Sequence, residues 1–197
     1  MKRLNVNVLG MSEIKWKDEG DFWSGDYRII FSGDKRSTTG VEIVLDKKWG
    51  GRVKSYMLFS DRIILIKLES AGEHIAIMQL YMPTSGYSDE DLEEVYEQIE
   101  EVLNYVKDNE TLIILGDWNA VVGEGRDGEV IGEYGLGNRN ERGQRLVDFC
   151  VEKNFVIANT IFKQPLRRRY TWTQPGDIAR YQIDYIILRK KHKRYIQ

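Results

Sequence analysis

Cysteine and histidine are scarce in this chain. Its 197 residues include one cysteine, Cys150, and two histidines, His74 and His192. A lone thiol excludes an internal disulfide and fits a reducing, intracellular setting. Its surroundings, Leu146-Val147-Asp148-Phe149-Cys150-Val151, read as the apolar face of a helix, so the thiol is expected to be buried and structural. His74 opens a strand beside a turn without a partner near it in sequence, and reads as a surface residue. So few soft ligands exclude a His/Cys zinc centre, and any metal must be a hard cation held by oxygen. No apolar run approaches the roughly 20 residues that span a bilayer, and the first residues lack the apolar stretch of a secretory signal. Repeats and low-complexity tracts are absent as well.

What is present has the proportions of a globular domain, with 42% hydrophobic and 30% charged residues. The length suits one sizeable core, so a single domain over residues 1–197 is expected. A net charge of −2 decides nothing about nucleic acid, but the distribution says more. Basic residues collect at Arg167, Arg168 and Arg169 and again at Arg189, Lys190, Lys191, Lys193 and Arg194, while acids collect between residues 89 and 101. A basic C-terminal third can follow a phosphate backbone. The plain alternative is a solvated face and a frayed tail.

Taken in order, residues 4–9 alternate as a short strand that runs through Gly10, Met11 and Ser12 into Glu13. A polar loop with Gly20 and Gly25 follows. Strands are then expected at 27–31, 41–45, 61–68 and 73–81, a meander whose last strand stops at Pro83, which cannot donate to a ladder. Apolar residues at three- and four-residue spacings predict a helix over 89–107, with Ser88 and Asp91 as a capping box. The continuous run from Thr111 to Leu115 reads as a buried strand ending in Gly116-Asp117-Trp118-Asn119. Residues 123–137 are Gly-rich and charged without the spacing of a phosphate-binding loop, and read as an irregular excursion. A second amphipathic helix is expected over 140–153 with Asn140 as N-cap, then a strand at 155–158, then a hairpin-like pair at 169–173 and 182–188.

Four segments place polar residues at strand ends, where rigid scaffolds present chemistry. Asp117 can hold a metal or take a proton, and Asn119, two residues on, can donate to an oxyanion; the plain alternative is an Asp/Asn turn. Glu13 repeats the pattern of a carboxylate past a strand end. Tyr81 has its hydroxyl at a third strand end, and a buried, satisfied tyrosine is the alternative. Asp184 shares a side with Ile186 and Leu188, an acid on a face otherwise apolar, so it needs a partner or a cation.

The ordered motifs Ser12-Glu13-Ile14-Lys15-Trp16, Tyr81-Met82-Pro83-Thr84, Gly116-Asp117-Trp118-Asn119-Ala120, Asn140-Glu141-Arg142-Gly143, Tyr170-Thr171-Trp172 and Ile183-Asp184-Tyr185-Ile186 resemble the endonuclease/exonuclease/phosphatase superfamily. Within it, the chain is most similar to the apurinic-endonuclease-like domain of RTE-type non-LTR retrotransposons. The resemblance implies an α/β, DNase I-like, four-layer αββα sandwich of two mixed sheets. It also implies Mg²⁺, with Mn²⁺ as a substitute, held by the residue matching Glu13. Asp117 would activate the attacking water, Asn119 would position the scissile phosphate and Tyr81 would bond to it. Asp184 would orient a histidine from a later Ser-Asp-His motif. DNA is the implied partner, with Arg167, Arg168, Arg169 and Trp172 as its contacts and no membrane involved.

Two family features are missing: an Asn-bearing first strand with its helix, and the final Ser-Asp-His strands. The expectation is therefore a domain truncated at both ends, with exposed sheet edges open to association. Three functions compete: a Mg²⁺-dependent DNA-nicking endonuclease, inactive if the missing ends are needed; a non-catalytic DNA- or protein-binding descendant; and a phosphoinositide or sphingolipid phosphoesterase, since one site chemistry serves several phosphoesters.

Overall fold

The computed structural model describes residues 1–196 and divides into two compact units, Met1–Gly116 and Asp117–Gln197. In the first unit, β1 (Val8–Ser12), β2 (Glu19–Ser24), β3 (Tyr27–Ser32) and β4 (Val41–Asp46) form an antiparallel sheet in the order β1-β4-β3-β2. After the single-turn helix α1 (Lys47–Gly50) come β5 (Val53–Ser60), β6 (Ile63–Ser70), β7 (Glu73–Tyr81), helix α2 (Asp89–Leu103) and β8 (Thr111–Asp117). Strands β5 to β8 lie in that order in a second sheet.

Alternation decides what these sheets bury. Ile30, Val41, Ile43 and Leu45 from the first sheet meet Ile64, Ile66, Leu68, Ile77 and Tyr81 from the second in one apolar cluster. The intervening residues Ile63, Leu65, Met78, Leu80, Leu112 and Ile114 are also buried, on the opposite face of the second sheet. Helix α2 belongs to that face. It buries Leu92, Val95, Tyr96, Ile99 and Val102, and Lys67 Nζ ties the chain beyond it by donating to the Tyr105 carbonyl at 2.7 Å and pairing with Glu110 at 2.9 Å. The β6–β7 hairpin turns through Ala71 and Gly72, both at positive φ, the twist that keeps its strands in register from Ile63↔Leu80 to Ser70↔Glu73.

The second unit begins with Asp117, the last residue of β8. Its helix α3 (Glu141–Glu152) starts at Asn140, whose side chain accepts from the Gly143 N–H, and buries Leu146, Val147, Phe149 and Cys150. Strand β9 (Phe155–Ile157) pairs antiparallel with β12 (Asp184–Arg189), and β10 (Trp172–Thr173) with β11 (Arg180–Tyr181).

Several expectations shift. The first strand is residues 8–12 rather than 4–9, because Lys2–Leu4 coil into a 3₁₀ turn and β4 pairs with the chain only from Val8. Strands β2 and β5 were not expected. Both are edge strands: β2 is exposed almost throughout, and β5 carries two register shifts, so neither shows clean alternation. Helix α2 ends at Leu103 instead of 107, where the chain turns toward Lys67. The hairpin-like pairing of 169–173 with 182–188 is replaced. Thr171 N–H does reach the Tyr181 carbonyl at 2.8 Å, but the chain then leaves that ladder and β12 takes β9 as its partner. The capping box at Ser88, the irregular 123–137 segment, exposed His74 and buried Cys150 are as expected.

Truncating Ile66 to Ala inside the inter-sheet cluster should cost about 2–5 kcal/mol in urea unfolding. Ser88→Ala, which removes only a cap, should cost about 1 kcal/mol. An Ile66→Ala protein as stable as wild type would refute the face-to-face packing.

Candidate active site

In the first unit, the chain reaches Glu13 off the end of β1. Ser12 is the last residue of the β1–β4 ladder, opposite Val41, and Glu13 then turns into the left-handed region at φ 55° before Ile14 N–H finds the Gly40 carbonyl at 3.2 Å. A glutamate there is uncommon, since left-handed backbone crowds a side chain. The exposed Glu13 carboxylate accepts the Tyr81 hydroxyl through Oε1. Tyr81 itself is 4% exposed, its ring in the inter-sheet cluster and its hydroxyl at the rim. Arg62 lies 5.1 Å from the Tyr81 ring centroid and 5.0 Å from that of Tyr87, and its Nη1 donates to the Tyr81 carbonyl at 3.2 Å. At the same end, the Thr39 hydroxyl donates to Asp61.

In the second unit, Asp117, Trp118 and Asn119 make a tight turn. Asn119 N–H donates to Asp117 Oδ1 at 2.9 Å, and Asn119 has φ 46°, a conformation its short amide tolerates better than most side chains do. Trp118 is 1% exposed and packs 6.3 Å from Phe149, while its N–H donates to the Ile183 carbonyl at 2.8 Å. That last bond sets Asp117 and Asn119 beside the strand start that carries Asp184.

Asp184 is half-buried. Its backbone N–H donates to Thr171 Oγ1 at 3.2 Å, and Asn159 brackets it by donating to its carbonyl at 3.4 Å and accepting the Ile186 N–H at 2.7 Å. Burial raises its carboxyl above the ordinary value, opposed in part by the Thr171 hydroxyl. The face is less apolar than expected, since Ile186 is 42% exposed. Tyr185, on the other side, donates its hydroxyl to the Gln182 carbonyl at 2.6 Å and accepts the Val122 N–H at 3.3 Å, and burial raises its phenol.

The expected nucleic-acid contacts separate. Arg167 and Arg168 are exposed, and Trp172 is 42% exposed beside Tyr181. Arg169 is 8% exposed: it donates to the Gln164 carbonyl at 2.8 Å, the Glu124 carboxylate at 3.1 Å and the Gly135 carbonyl at 3.2 Å, and lies over Tyr134. These bonds tie its guanidinium to the 123–137 excursion, whereas those of Arg167 and Arg168 face solvent. Sequence reading missed Arg62 and Asn159, which lie in none of the motifs, and gave Thr171 no role of its own although it stands in the Tyr170-Thr171-Trp172 motif.

A buried acid with a raised native value destabilises the fold progressively as pH rises from its ordinary value of 3.8, because the unfolded chain ionises first. Below 3.8 the penalty is absent. Asp184→Asn should therefore gain stability relative to wild type as pH rises through that window, measured by urea unfolding at several pH values. A difference independent of pH would remove the claim.

No protein-family model matches the chain. Over 198 aligned residues it is 36% identical to craniofacial development protein 2 of Tragulus javanicus and to that of Bos taurus. The alignments cover 100% of this chain, which spans about a third of the length of these curated relatives (34% and 33%). Among solved structures, it is similar to the AP endonuclease LMAP from Leishmania major, with a TM-score of 0.69 at 14% identity, covering 99% of this chain and 73% of that one. It is also similar to the endonuclease domain of TRAS1, a telomere-specific non-LTR retrotransposon, with a TM-score of 0.66 at 14% identity and coverage of 96% and 76%. A 3′ phosphatase from Neisseria bound to product DNA hairpin gives a TM-score of 0.65 at 14% identity, covering 95% and 78%. The chain is thus similar over its whole length to part of craniofacial development protein 2, and it has the DNase I-like α/β fold of these solved nucleases and phosphatase.

Proposed function

We propose that the chain is a Mg²⁺-assisted phosphodiesterase of retrotransposon origin that nicks DNA. The observation that carries this reading is the Glu13–Tyr81 hydrogen bond, which joins a carboxylate and a phenol 68 residues apart. A solvent-facing glutamate held in left-handed backbone and joined to the hydroxyl of a buried tyrosine is poor packing and good chemistry. The turn at Asp117–Asn119 beside Asp184 adds a second set of polar groups from the same motif series.

The donor set suits a hard cation. Among the described residues no three His, Cys, Asp or Glu side chains gather into a protein cage. One exposed carboxylate, Glu13, is what a Mg²⁺ ion needs if it keeps most of its waters and takes its remaining oxygens from the substrate phosphate. Such an ion, when bound, offsets charge on the phosphoryl oxygens. The chain's own groups do the rest. Asp117 holds a water and accepts its proton as it attacks phosphorus. In the second unit the Asn119 amide donates to a non-bridging oxygen, whose charge grows as the bond to the leaving oxygen breaks; in the first, the Tyr81 hydroxyl donates to the Glu13 carboxylate and orients it. Asp184, half-buried, would orient a histidine of a later Ser-Asp-His motif, as the resemblance implies. Arg167, Arg168 and Trp172 offer charge and an aromatic face to the nucleic-acid strand.

In a supercoiled-plasmid nicking assay with Mg²⁺, Asp117→Ala and Glu13→Ala should each lower the rate on the order of a hundredfold or more. Equal rates for wild type and both variants would sink the catalytic reading. Salt-dependent DNA binding without any nicking would point to a non-catalytic descendant instead. Arg167→Ala and Arg168→Ala should each reduce the salt slope of DNA affinity by about one, while Arg169→Ala should lower thermal stability instead.

A further inference from the structure

We propose that Ser12 and Gln79 form a buried hydrogen-bonded clamp whose role is to position Glu13 against Tyr81, which makes both of them positioning residues of the site. As a statement about catalysis this rests on the function proposed above. As a statement about geometry it stands on the hydrogen bonds themselves.

The clamp joins the two residues that immediately precede the pair. Ser12 comes just before Glu13, and Leu80 just before Tyr81. The Ser12 hydroxyl donates across the sandwich to the Leu80 carbonyl at 3.1 Å. Gln79 Nε2 donates to Ser12 Oγ at 3.0 Å and to the same Leu80 carbonyl at 3.2 Å. One carbonyl of β7 therefore collects two side-chain donors, and one of these comes from the other sheet.

Gln79 is an expensive choice for this place. It is 2% exposed in a run otherwise made of Ile75, Ala76, Ile77, Met78 and Leu80, and its Oε1 has no hydrogen-bond partner among the described residues. Burying an amide with half its capacity unused is unfavourable where an apolar residue would pack. Two glycines make room for the arrangement. A Cβ on Gly10 would lie 1.8 Å from Gln79 Oε1, and a Cβ on Gly116 would lie 2.5 Å from the Leu80 oxygen. Glycine at these positions lets β1 and β8 approach the clamp from two sides.

Position explains the expense. The β1–β4 ladder ends at Ser12, and Glu13 turns left-handed before Ile14 and Lys15 N–H bond to the Gly40 and Thr39 carbonyls, so the glutamate itself lies outside the ladder. Apolar contacts between the sheets allow small slides, whereas directional hydrogen bonds at the last ladder residue set the distance from β1 to β7 at the point where Glu13 must meet the Tyr81 hydroxyl.

The test uses the full chain with ¹³Cζ-labelled tyrosine, the Tyr81 signal being assigned by its loss in Tyr81→Phe. Glu13→Ala defines where that signal lies without its acceptor. Ser12→Ala and Gln79→Met should each move the signal toward that position, while Ser12→Thr, which keeps the hydroxyl, should leave it near wild type. Asn7→Ala, which loses a hydrogen bond to Asp46 at 2.7 Å beside the other end of β1, should also leave it unmoved. Folding of each variant is checked by urea midpoint, and Ser12→Ala decides alone if Gln79→Met does not fold. In the nicking assay, kcat should fall on the order of tenfold to a hundredfold with KM nearly unchanged. Folded Ser12→Ala with the Tyr81 signal at its wild-type position would overturn the clamp. Absence of nicking by wild type would overturn the proposed function, and the NMR result would still decide the geometry.

Discussion

Face-to-face packing of the two sheets in the first unit is the constraint on which the meeting of Glu13 and Tyr81 depends. Ile30, Val41, Ile43 and Leu45 bury themselves against Ile64, Ile66, Leu68, Ile77 and Tyr81, and this contact brings the end of β1 beside the end of β7. Tyr81 belongs to both sides of the matter, since its ring is part of the apolar cluster and its hydroxyl reaches Glu13. The hydrophobic effect sets the sheets together without direction. The polar groups at the rim, Ser12, Gln79, Arg62 and the Thr39–Asp61 pair, supply the direction that apolar contact lacks.

The second unit solves a similar problem by a different route. Trp118 sits between Asp117 and Asn119 and is almost wholly buried, so the two polar neighbours are held by an aromatic anchor packed on Phe149. The backbone bond from Trp118 to Ile183 then brings the start of β12, and with it Asp184, beside the turn. Burial that raises the Asp184 carboxyl is a cost to stability at neutral pH.

Charge is divided in the same spirit. Three consecutive arginines look equivalent in sequence, but Arg169 turns inward to three acceptors and a tyrosine face while Arg167 and Arg168 remain exposed. A guanidinium that closes a loop with several hydrogen bonds is desolvated and unavailable to a ligand. Consecutive residues in a 3₁₀ turn point in different directions, which a count of basic residues does not reveal.

Periodicity and local chemistry in the amino-acid sequence by themselves determined the central strands β3, β4, β6, β7 and β8, both long helices with their caps, and the four motif segments that hold Glu13, Tyr81, Asp117 with Asn119, and Asp184. These features depend on neighbours within a few residues, so they are legible in one dimension. Tertiary structure alone decided the rest. The edge strands β2 and β5 exist because a neighbouring strand offers a ladder, not because their own residues alternate. The exchange of β12 from the 169–173 segment to β9, the inward turn of Arg169 and the joining of Ser12 to Gln79 depend on residues that meet only after the chain folds. The Glu13–Tyr81 pair shows the division most clearly. Each residue announced itself at a strand end, but only the packing of two sheets brought a carboxylate and a hydroxyl 68 residues apart into contact.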